Sequence, residues 1–144
     1  MLMNTIIKAI TPQETWPIRH KVMWPEEPFD YIKLPEDTEG LHFGLWVDDM
    51  LISVVSLFIK KEIGQFRKFA TLVDKQGKGY GSQLLHHLIE IAKTKKVKKI
   101  WCNARVTKAA YYTKFDMEIT NCRFSKNGID YVVMERNFQK KYYL

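Results

Sequence analysis

Cysteine is scarce in this sequence, since only Cys102 and Cys122 occur among 144 residues. Two cysteines are too few for a disulfide framework and lack the spacing of a zinc site, so we predict reduced thiols and no metal. The 7 glycines and 5 prolines exclude collagen-like and low-complexity chains. The longest apolar run, residues 50–59, is broken by serines and falls far short of the roughly 20 residues that span a membrane. The sequence also begins without the features of a signal peptide, so we expect a cytoplasmic protein.

Positive charge is in excess, with 23 Lys and Arg against 16 Asp and Glu and a net charge of +7. Such a balance suits an acidic partner, which can be nucleic acid, anionic lipid or a phosphate-bearing cofactor. The densest basic run, residues 93–99, contains no aromatic residue, which favours a solvated helix end over a nucleic-acid surface. The length predicts one domain over residues 1–144.

The order of the predicted elements indicates an α/β or α+β fold with a mixed sheet. A strand (5–10), a capped helix (11–23) and a long irregular segment (24–40) open the chain. Three antiparallel strands (41–73), an amphipathic helix (79–94) and a further strand (100–104) follow. A short helix (107–115) and a hairpin (118–136) around Asn127-Gly128 close it. The Asn-Gly pair is a strong signal for a two-residue hairpin turn.

Residues 73–82, here called the glycine loop, join a predicted strand to the amphipathic helix. Glycines permit positive φ and close approach of a ligand to the backbone, and a helix N-terminus attracts anions. The sequence of the loop excludes a P-loop, because Gly79 follows Lys78 where Ser or Thr is required. The spacing of Gly77, Gly79 and Gly81 also differs from that of a dinucleotide-binding loop. A plain chain reversal and a phosphate cradle both remain open from the loop alone.

Gln76-x-x-Gly79-x-Gly81 resembles the acetyl-coenzyme-A-binding pattern of the GNAT N-acetyltransferase superfamily. The element order and the segment from Asn103 to Met117 also resemble that family, although Asp116 and Met117 stand where Gly and Phe are usual. The resemblance implies a three-layer sandwich whose mixed, mostly antiparallel sheet of six to seven strands has helices on both faces. It further implies transfer of an acetyl group from acetyl-CoA to a primary amine by direct attack in a ternary complex. The alternatives are a non-catalytic acyl-CoA-binding or partner-binding module and, last, a nucleic-acid-binding domain.

The resemblance also implies roles for individual residues. Tyr112 is the expected general acid for the departing thiolate, with Tyr111 as its rival. The resemblance implies that the glycine loop holds the pyrophosphate, that the preceding strand pairs with the pantetheine arm, and that Asn103 contacts the cofactor. The expected cofactor-binding residues are Leu72, Val73, Gln76, Gly77, Lys78, Gly79, Tyr80, Gly81, Ser82 and Asn103.

The sequence defines the general base and the acetyl acceptor less clearly than the cofactor-binding residues. His42 is the expected base because its intrinsic pKa lies near neutrality, with Asp37 and Glu62 as alternatives. Arg67 is interpreted as binding an acidic substrate group, as solvent-facing or as pairing with Glu62. Six carboxylates in residues 24–40 suggest a cationic acceptor, or else a solvated loop. The expected partner is a small-molecule or peptide amine, without membrane or nucleic acid, and a homodimer is left open.

Overall fold

The computed structural model describes residues 4–139. Their contacts group them into two compact units, the first formed by residues 4–58 and 67–91 and the second by residues 59–66 and 92–139. The single domain predicted from the chain length therefore stays a prediction. None of the helices in residues 4–139 is long and apolar enough to cross a membrane.

The first unit is built on an antiparallel set of strands. Strand β1 (Thr5–Ile10) pairs with β2 (Leu41–Val47), and β2 pairs with β3 (Met50–Lys60). Helix α1 (Pro12–Ile18) begins with the predicted cap, since the Thr11 hydroxyl accepts the Glu14 N–H and the Glu14 carboxylate accepts the Thr11 N–H. Helix α1 packs on the strands through a buried cluster of Ile18, Val54 and Ala70.

The segment between α1 and β2 is more regular than the sequence predicted. The helix continues from Arg19 to Met23 as a π-helical turn, and two 3-10 turns follow at Phe29–Ile32 and Pro35–Glu39. Pro17 lies inside α1, where a proline cannot donate a hydrogen bond to the preceding turn. The segment predicted to be irregular, residues 24–40, thus contains two short helical turns.

Strand β4 (Ile63–Thr71) leads through the glycine loop into helix α2 (Tyr80–Thr94). Apolar residues recur on α2 at helical spacing, and Leu84, Leu85 and Leu88 are fully buried. This agrees with the amphipathic helix predicted over residues 79–94.

The second unit contains a parallel pairing, with Gly64 of β4 opposite Ile100 of β5 (Lys99–Arg105). Strand β7 (Ile129–Asn137) pairs antiparallel with β5 and with β6 (Glu118–Lys126), so the sheet order is β1-β2-β3-β4-β5-β7-β6. The predicted hairpin turn is present, because Asn127 and Gly128 have φ values of 53° and 75°.

The last helix is shorter than predicted. Residues 107–115 were expected to be helical, but a 3-10 turn at Val106–Lys108 precedes α3 (Ala109–Thr113). Both cysteines are free thiols, as predicted, with Cys102 buried on β5 and Cys122 exposed on β6.

Candidate active site

The glycine loop is tied back to the end of β4. After Thr71 the chain makes a 3-10 turn at Val73–Lys75, and the Gln76 amide Nε2 then donates to the Thr71 carbonyl at 2.9 Å. The helical hydrogen bonds of α2 start with the Gln83 N–H, which donates to the Gly79 carbonyl at 3.1 Å. A helix N-terminus carries partial positive charge, so the glycine loop leads into the end of α2 that favours binding of anions.

The three glycines of the loop serve two physical purposes. Gly77 and Gly79 have φ values of 76° and 86°, and a Cβ at either position would meet nothing within 4 Å. Their conformation favours glycine, and the space beside their backbone is open. Gly81 instead allows close packing, because a Cβ there would lie 3.2 Å from Phe69 Cζ and from Thr71 Oγ1, which is closer than ordinary van der Waals contact. The first turn of α2 consequently lies directly against the end of β4.

The two residues expected to pair with the pantetheine arm differ in what their backbone can offer. The Leu72 N–H donates to the Ile52 carbonyl at 2.9 Å, and the Leu72 carbonyl accepts the Lys75 N–H at 2.9 Å. The Leu72 N–H is therefore already used within the sheet. Val73 follows and is 72% exposed. We keep Val73 among the proposed cofactor-binding residues. Leu72 can offer only its carbonyl oxygen to the pantetheine arm.

Tyr112 lies on α3 among aromatic rings. Its ring centroid is 5.8 Å from that of Phe66 and 5.4 Å from that of Tyr111. Burial raises the pKa of the Tyr112 hydroxyl well above its ordinary range, Cys102 and Tyr111 add to the increase, and Arg105 opposes it. The hydroxyl therefore stays protonated at neutral pH, which is the state that a proton donor requires.

Three other residues from the sequence analysis have clear positions. Asn103 is exposed on β5, where the neighbouring Cys102 and Ala104 point to the buried face. Asp116, at the position where the family usually has glycine, takes a left-handed φ of 61°. Met117 is buried. Asp116 therefore adopts the left-handed backbone conformation that glycine usually provides at this position.

His42 is buried, and both of its ring nitrogens have partners. Nδ1 lies 2.7 Å from Ser56 Oγ, and Nε2 lies 2.8 Å from the Asp37 carbonyl oxygen. A carbonyl can only accept, so Nε2 carries the proton and Nδ1 accepts from the Ser56 hydroxyl. Ser56 Oγ in turn accepts from Arg19 at 2.9 Å. Neither ring nitrogen is open to an amine, so this geometry argues against the expected general base role.

The same network holds Asp37, the second candidate base. Arg19 donates to both Asp37 carboxylate oxygens, at 2.8 and 3.0 Å, and the Trp16 indole and Leu34 N–H also donate to that carboxylate. Burial alone would raise the pKa of Asp37, but these hydrogen bonds and the Arg19 charge outweigh it and lower that pKa. A carboxylate so occupied is a poor proton acceptor. We call Arg19, Asp37, Ser56 and His42 the buried network.

The buried network makes a prediction about pH. Burial lowers the pKa of His42 below its ordinary value, so between the two values the unfolded chain binds a proton that the folded protein does not. Stability should therefore fall as pH drops below about 6.5, with a slope of at most about 1.4 kcal/mol per pH unit from this group. Urea unfolding of His42→Gln between pH 7.5 and 5 should show a flatter dependence than the parent. Equal slopes for His42→Gln and the parent protein would contradict the prediction.

Half of the six carboxylates in residues 24–40 are already paired. Arg19 neutralises Asp37, Lys33 pairs with Asp30 at 2.8 Å, and Arg67 pairs with Glu36. The interpretation of Arg67 as a partner of Glu62 is wrong, because Glu62 pairs with Lys98 at 2.7 Å. The segment thus uses half of its negative charge to hold its own turns in place, which weakens the electrostatic argument for a cationic acceptor.

A comparison with models of protein families identifies the family of this chain. Residues 7–138 match the model of the acetyltransferase (GNAT) domain. The chain belongs to the GNAT acetyltransferase family. An N-acetyltransferase of Bacillus subtilis (strain 168), YitI, is 29% identical over 143 residues and covers 92% of this chain and 96% of its own. The GNAT resemblance drawn from the glycine loop is thereby confirmed, and the protein is an acyltransferase.

Solved structures of GNAT proteins share the fold. A protein from Lactobacillus plantarum assigned as an N-acetyltransferase has a TM-score of 0.82 at 19% identity, over 95% of this chain and 99% of its own. A GNAT family acetyltransferase from Elizabethkingia anophelis, solved with acetyl-CoA bound, has a TM-score of 0.72 at 21% identity, over 94% and 99% of the two chains. The predicted GNAT-like α/β fold with a mixed seven-stranded sheet is confirmed.

Proposed function

We propose that this GNAT protein transfers the acetyl group of acetyl-CoA to a primary amine. The observation that carries the proposal is the glycine loop, with Gly77 and Gly79 at positive φ beside open space and an attached helix N-terminus. This is the backbone arrangement that binds a pyrophosphate. The acetyl-CoA bound to the Elizabethkingia relative supports the choice of donor. Lys78, Tyr80 and Ser82 belong to the same loop and first helical turn and complete the proposed cofactor site with Asn103.

In the proposed reaction the neutral amine attacks the thioester carbonyl carbon directly. A C–N bond forms, the C–S bond breaks, and the electron pair of the C–S bond leaves with the thiolate. The Tyr112 hydroxyl gives its proton to that thiolate and is reprotonated from solvent. The nitrogen loses one proton to water, which balances the proton that solvent returns to Tyr112, so the products are an amide and the coenzyme thiol. Cys102 is not the nucleophile, because burial raises the pKa of its thiol to about 12.

Water, rather than His42, is the proposed final acceptor of the proton from the amine. The His42 ring nitrogens are both engaged in the buried network, and its lowered pKa makes the ring a weaker base than an ordinary histidine. Accordingly we assign His42 a structural role.

Gly79→Val tests the donor site. A β-branched residue at a φ of 86° is strained, and its side chain would occupy the space proposed for the coenzyme. Calorimetry should show acetyl-CoA affinity at least about 10-fold lower, which corresponds to about 1.4 kcal/mol. Gly128→Val is the matched control, because Gly128 has a φ of 75° and equally open space but lies in the β6–β7 turn.

The control should lose comparable stability and keep its affinity for acetyl-CoA. Unchanged affinity in folded Gly79→Val would remove the glycine loop from the cofactor site. Normal coenzyme binding by the parent protein without turnover on any amine would favour the alternative of a non-catalytic acyl-CoA-binding module.

A further inference from the structure

Strand β3 contains a completely buried serine beside the end of β4, within the first unit. Ser53 is 0% exposed, and its hydroxyl donates to the Ala70 carbonyl at 3.3 Å. Ser53 Oγ also lies 2.7 Å from Thr71 Oγ1. A buried hydroxyl is costly unless it has hydrogen-bond partners, and Ser53 has two. Ser53 therefore joins β3 to the last two residues of β4.

The direction of the shorter contact follows from the number of protons. A serine hydroxyl has one proton, and a carbonyl can only accept it. Since the Ser53 proton goes to the Ala70 carbonyl, Ser53 Oγ accepts the proton of the Thr71 hydroxyl. The Thr71 hydroxyl is thereby fixed toward β3. We call Ser53 and Thr71 the hydroxyl pair.

The backbone of β3 fixes the next residue of the same segment. Ile52, which precedes Ser53, accepts the Leu72 N–H at its carbonyl at 2.9 Å. Two consecutive residues of β3 thus bind three consecutive residues of the chain, from Ala70 to Leu72. The hydroxyl pair supplies the side-chain part of this attachment, which fixes the point where the chain leaves β4 for the glycine loop.

Thr71 contacts the glycine loop and the first turn of α2. Its carbonyl accepts from the Gln76 amide at 2.9 Å. Its Oγ1 atom lies only 3.2 Å from the position that a Cβ of Gly81 would occupy. Gly77 and Gly79, the two glycines at positive φ, lie between these two contacts. Thr71 therefore contacts the chain on both sides of the proposed pyrophosphate site.

The two glycines make these contacts important for binding. Glycine loses more conformational freedom on ordering than any other residue, so a loop that contains two of them is costly to order. A Cβ at Gly77 or Gly79 would meet nothing within 4 Å, so packing beside these two positions does not hold them. A loop that is ordered before the ligand arrives binds the ligand more tightly, because less entropy is lost on binding. The flanking contacts of Thr71 supply this order.

We propose that Ser53 and Thr71 are positioning residues, which hold the glycine loop in the conformation that binds the pyrophosphate of acetyl-CoA. The proposal rests on the proposed function. Ser53 is buried and acts through Thr71, and Thr71 acts through Gln76 and Gly81. Neither hydroxyl takes part in acetyl transfer. The loss of either one should therefore appear in the affinity for the coenzyme.

Thr71→Val tests the proposal. The change keeps the branched shape of the side chain, removes the proton that binds Ser53, and replaces the oxygen near Gly81 by a larger methyl group. Calorimetry should show a Kd for acetyl-CoA about 5-fold higher, as expected when one hydrogen bond is lost. Thr71→Ser keeps the hydroxyl and should restore an affinity close to that of the parent protein.

Ser53→Ala removes the other member of the hydroxyl pair without altering the surface of the loop. It should raise the Kd by a similar factor. The double variant of Ser53→Ala with Thr71→Val should raise the Kd no further than the larger of the two single changes, because both remove the same hydrogen bond.

Thr120→Val is the matched control. Thr120 on β6 donates its hydroxyl to the Val133 carbonyl at 2.8 Å, so this variant also loses a threonine hydrogen bond, but in the second unit. It should keep the parent affinity for acetyl-CoA. Hydrogen exchange of the backbone amides in residues 76–83 of the free protein should be faster in Thr71→Val and unchanged in Thr120→Val.

The remaining outcomes separate this proposal from the proposed function. Unchanged affinity in folded Thr71→Val and Ser53→Ala would overturn the positioning role. An equal loss of affinity in Thr120→Val, or a higher Kd in Thr71→Val without faster exchange in residues 76–83, would also overturn it. Failure of the parent protein to bind acetyl-CoA would instead overturn the proposed function, and the exchange rates would still test whether the hydroxyl pair orders the glycine loop.

Discussion

Tyr112→Phe is expected to lower kcat about 100-fold while leaving the affinity for acetyl-CoA unchanged. A group that protonates the leaving thiolate acts as the C–S bond breaks, so its loss appears in kcat rather than in binding. General acids contribute about 10²- to 10⁴-fold, and a thiolate is a good leaving group, which places the effect at the lower end. Steady-state kinetics with calorimetry of the same variant checks both parts.

Tyr111→Phe is the matched control, because Tyr111 is the adjacent residue and its ring contacts that of Tyr112 at 5.4 Å. It should keep kcat within a few-fold of the parent value. A damaging Tyr111→Phe with a silent Tyr112→Phe would exchange the two roles. Because burial raises the pKa of Tyr112, its ionisation should not reduce kcat at any pH below its ordinary range near 10.

Asp37→Asn is expected to lower the free energy of unfolding by about 3–5 kcal/mol, since it leaves the Arg19 charge buried without its counterion. Both side chains are almost completely buried, at 0% and 4% exposure. Urea unfolding at pH 7 measures the effect. The sign of the pH dependence follows from the lowered pKa of Asp37. Its contribution is present above the carboxyl pKa of the unfolded chain, near 4, and is lost as pH falls through the lower folded value.

Asp30→Asn provides the control for that variant. Asp30 belongs to the same segment and pairs with Lys33, but its side chain is 84% exposed, so its loss should cost less than about 1 kcal/mol. The double variant Arg19→Met with Asp37→Leu should be more stable than Asp37→Asn, because no buried charge remains without a partner. A cost of Asp37→Asn no greater than that of Asp30→Asn would contradict the importance assigned to the buried network.

The features that the sequence predicted best depend on local signals. The Thr11 cap, the Asn127-Gly128 turn and the amphipathic α2 each depend on residues within a few positions of one another. The glycine loop is equally local, so its pattern alone indicates the GNAT family. Helix α3 came out shorter than predicted, because a 3-10 turn and an α-helix have similar patterns of apolar residues over so few residues.

The features that the sequence did not predict depend on distant residues. Arg19, Asp37, His42 and Ser56 meet only after a helix, two turns and two strands have folded, and no spacing marks them as partners. The sequence therefore indicates the intrinsic pKa of His42 but not its partners. Arg67 is closer in sequence to Glu62 but pairs with Glu36.

The contrast between the two thiols has a practical consequence for labelling. Cys122 is exposed on β6, whereas Cys102 is buried with a pKa raised to about 12. Alkylating reagents attack the thiolate, so a maleimide dye should modify the folded protein at Cys122 and spare Cys102. The native chain therefore offers a single attachment point one residue from Arg123. A dye there would report on the hairpin without any engineered cysteine, and the enzyme itself would add about one reactive thiol per molecule to an assay of coenzyme release.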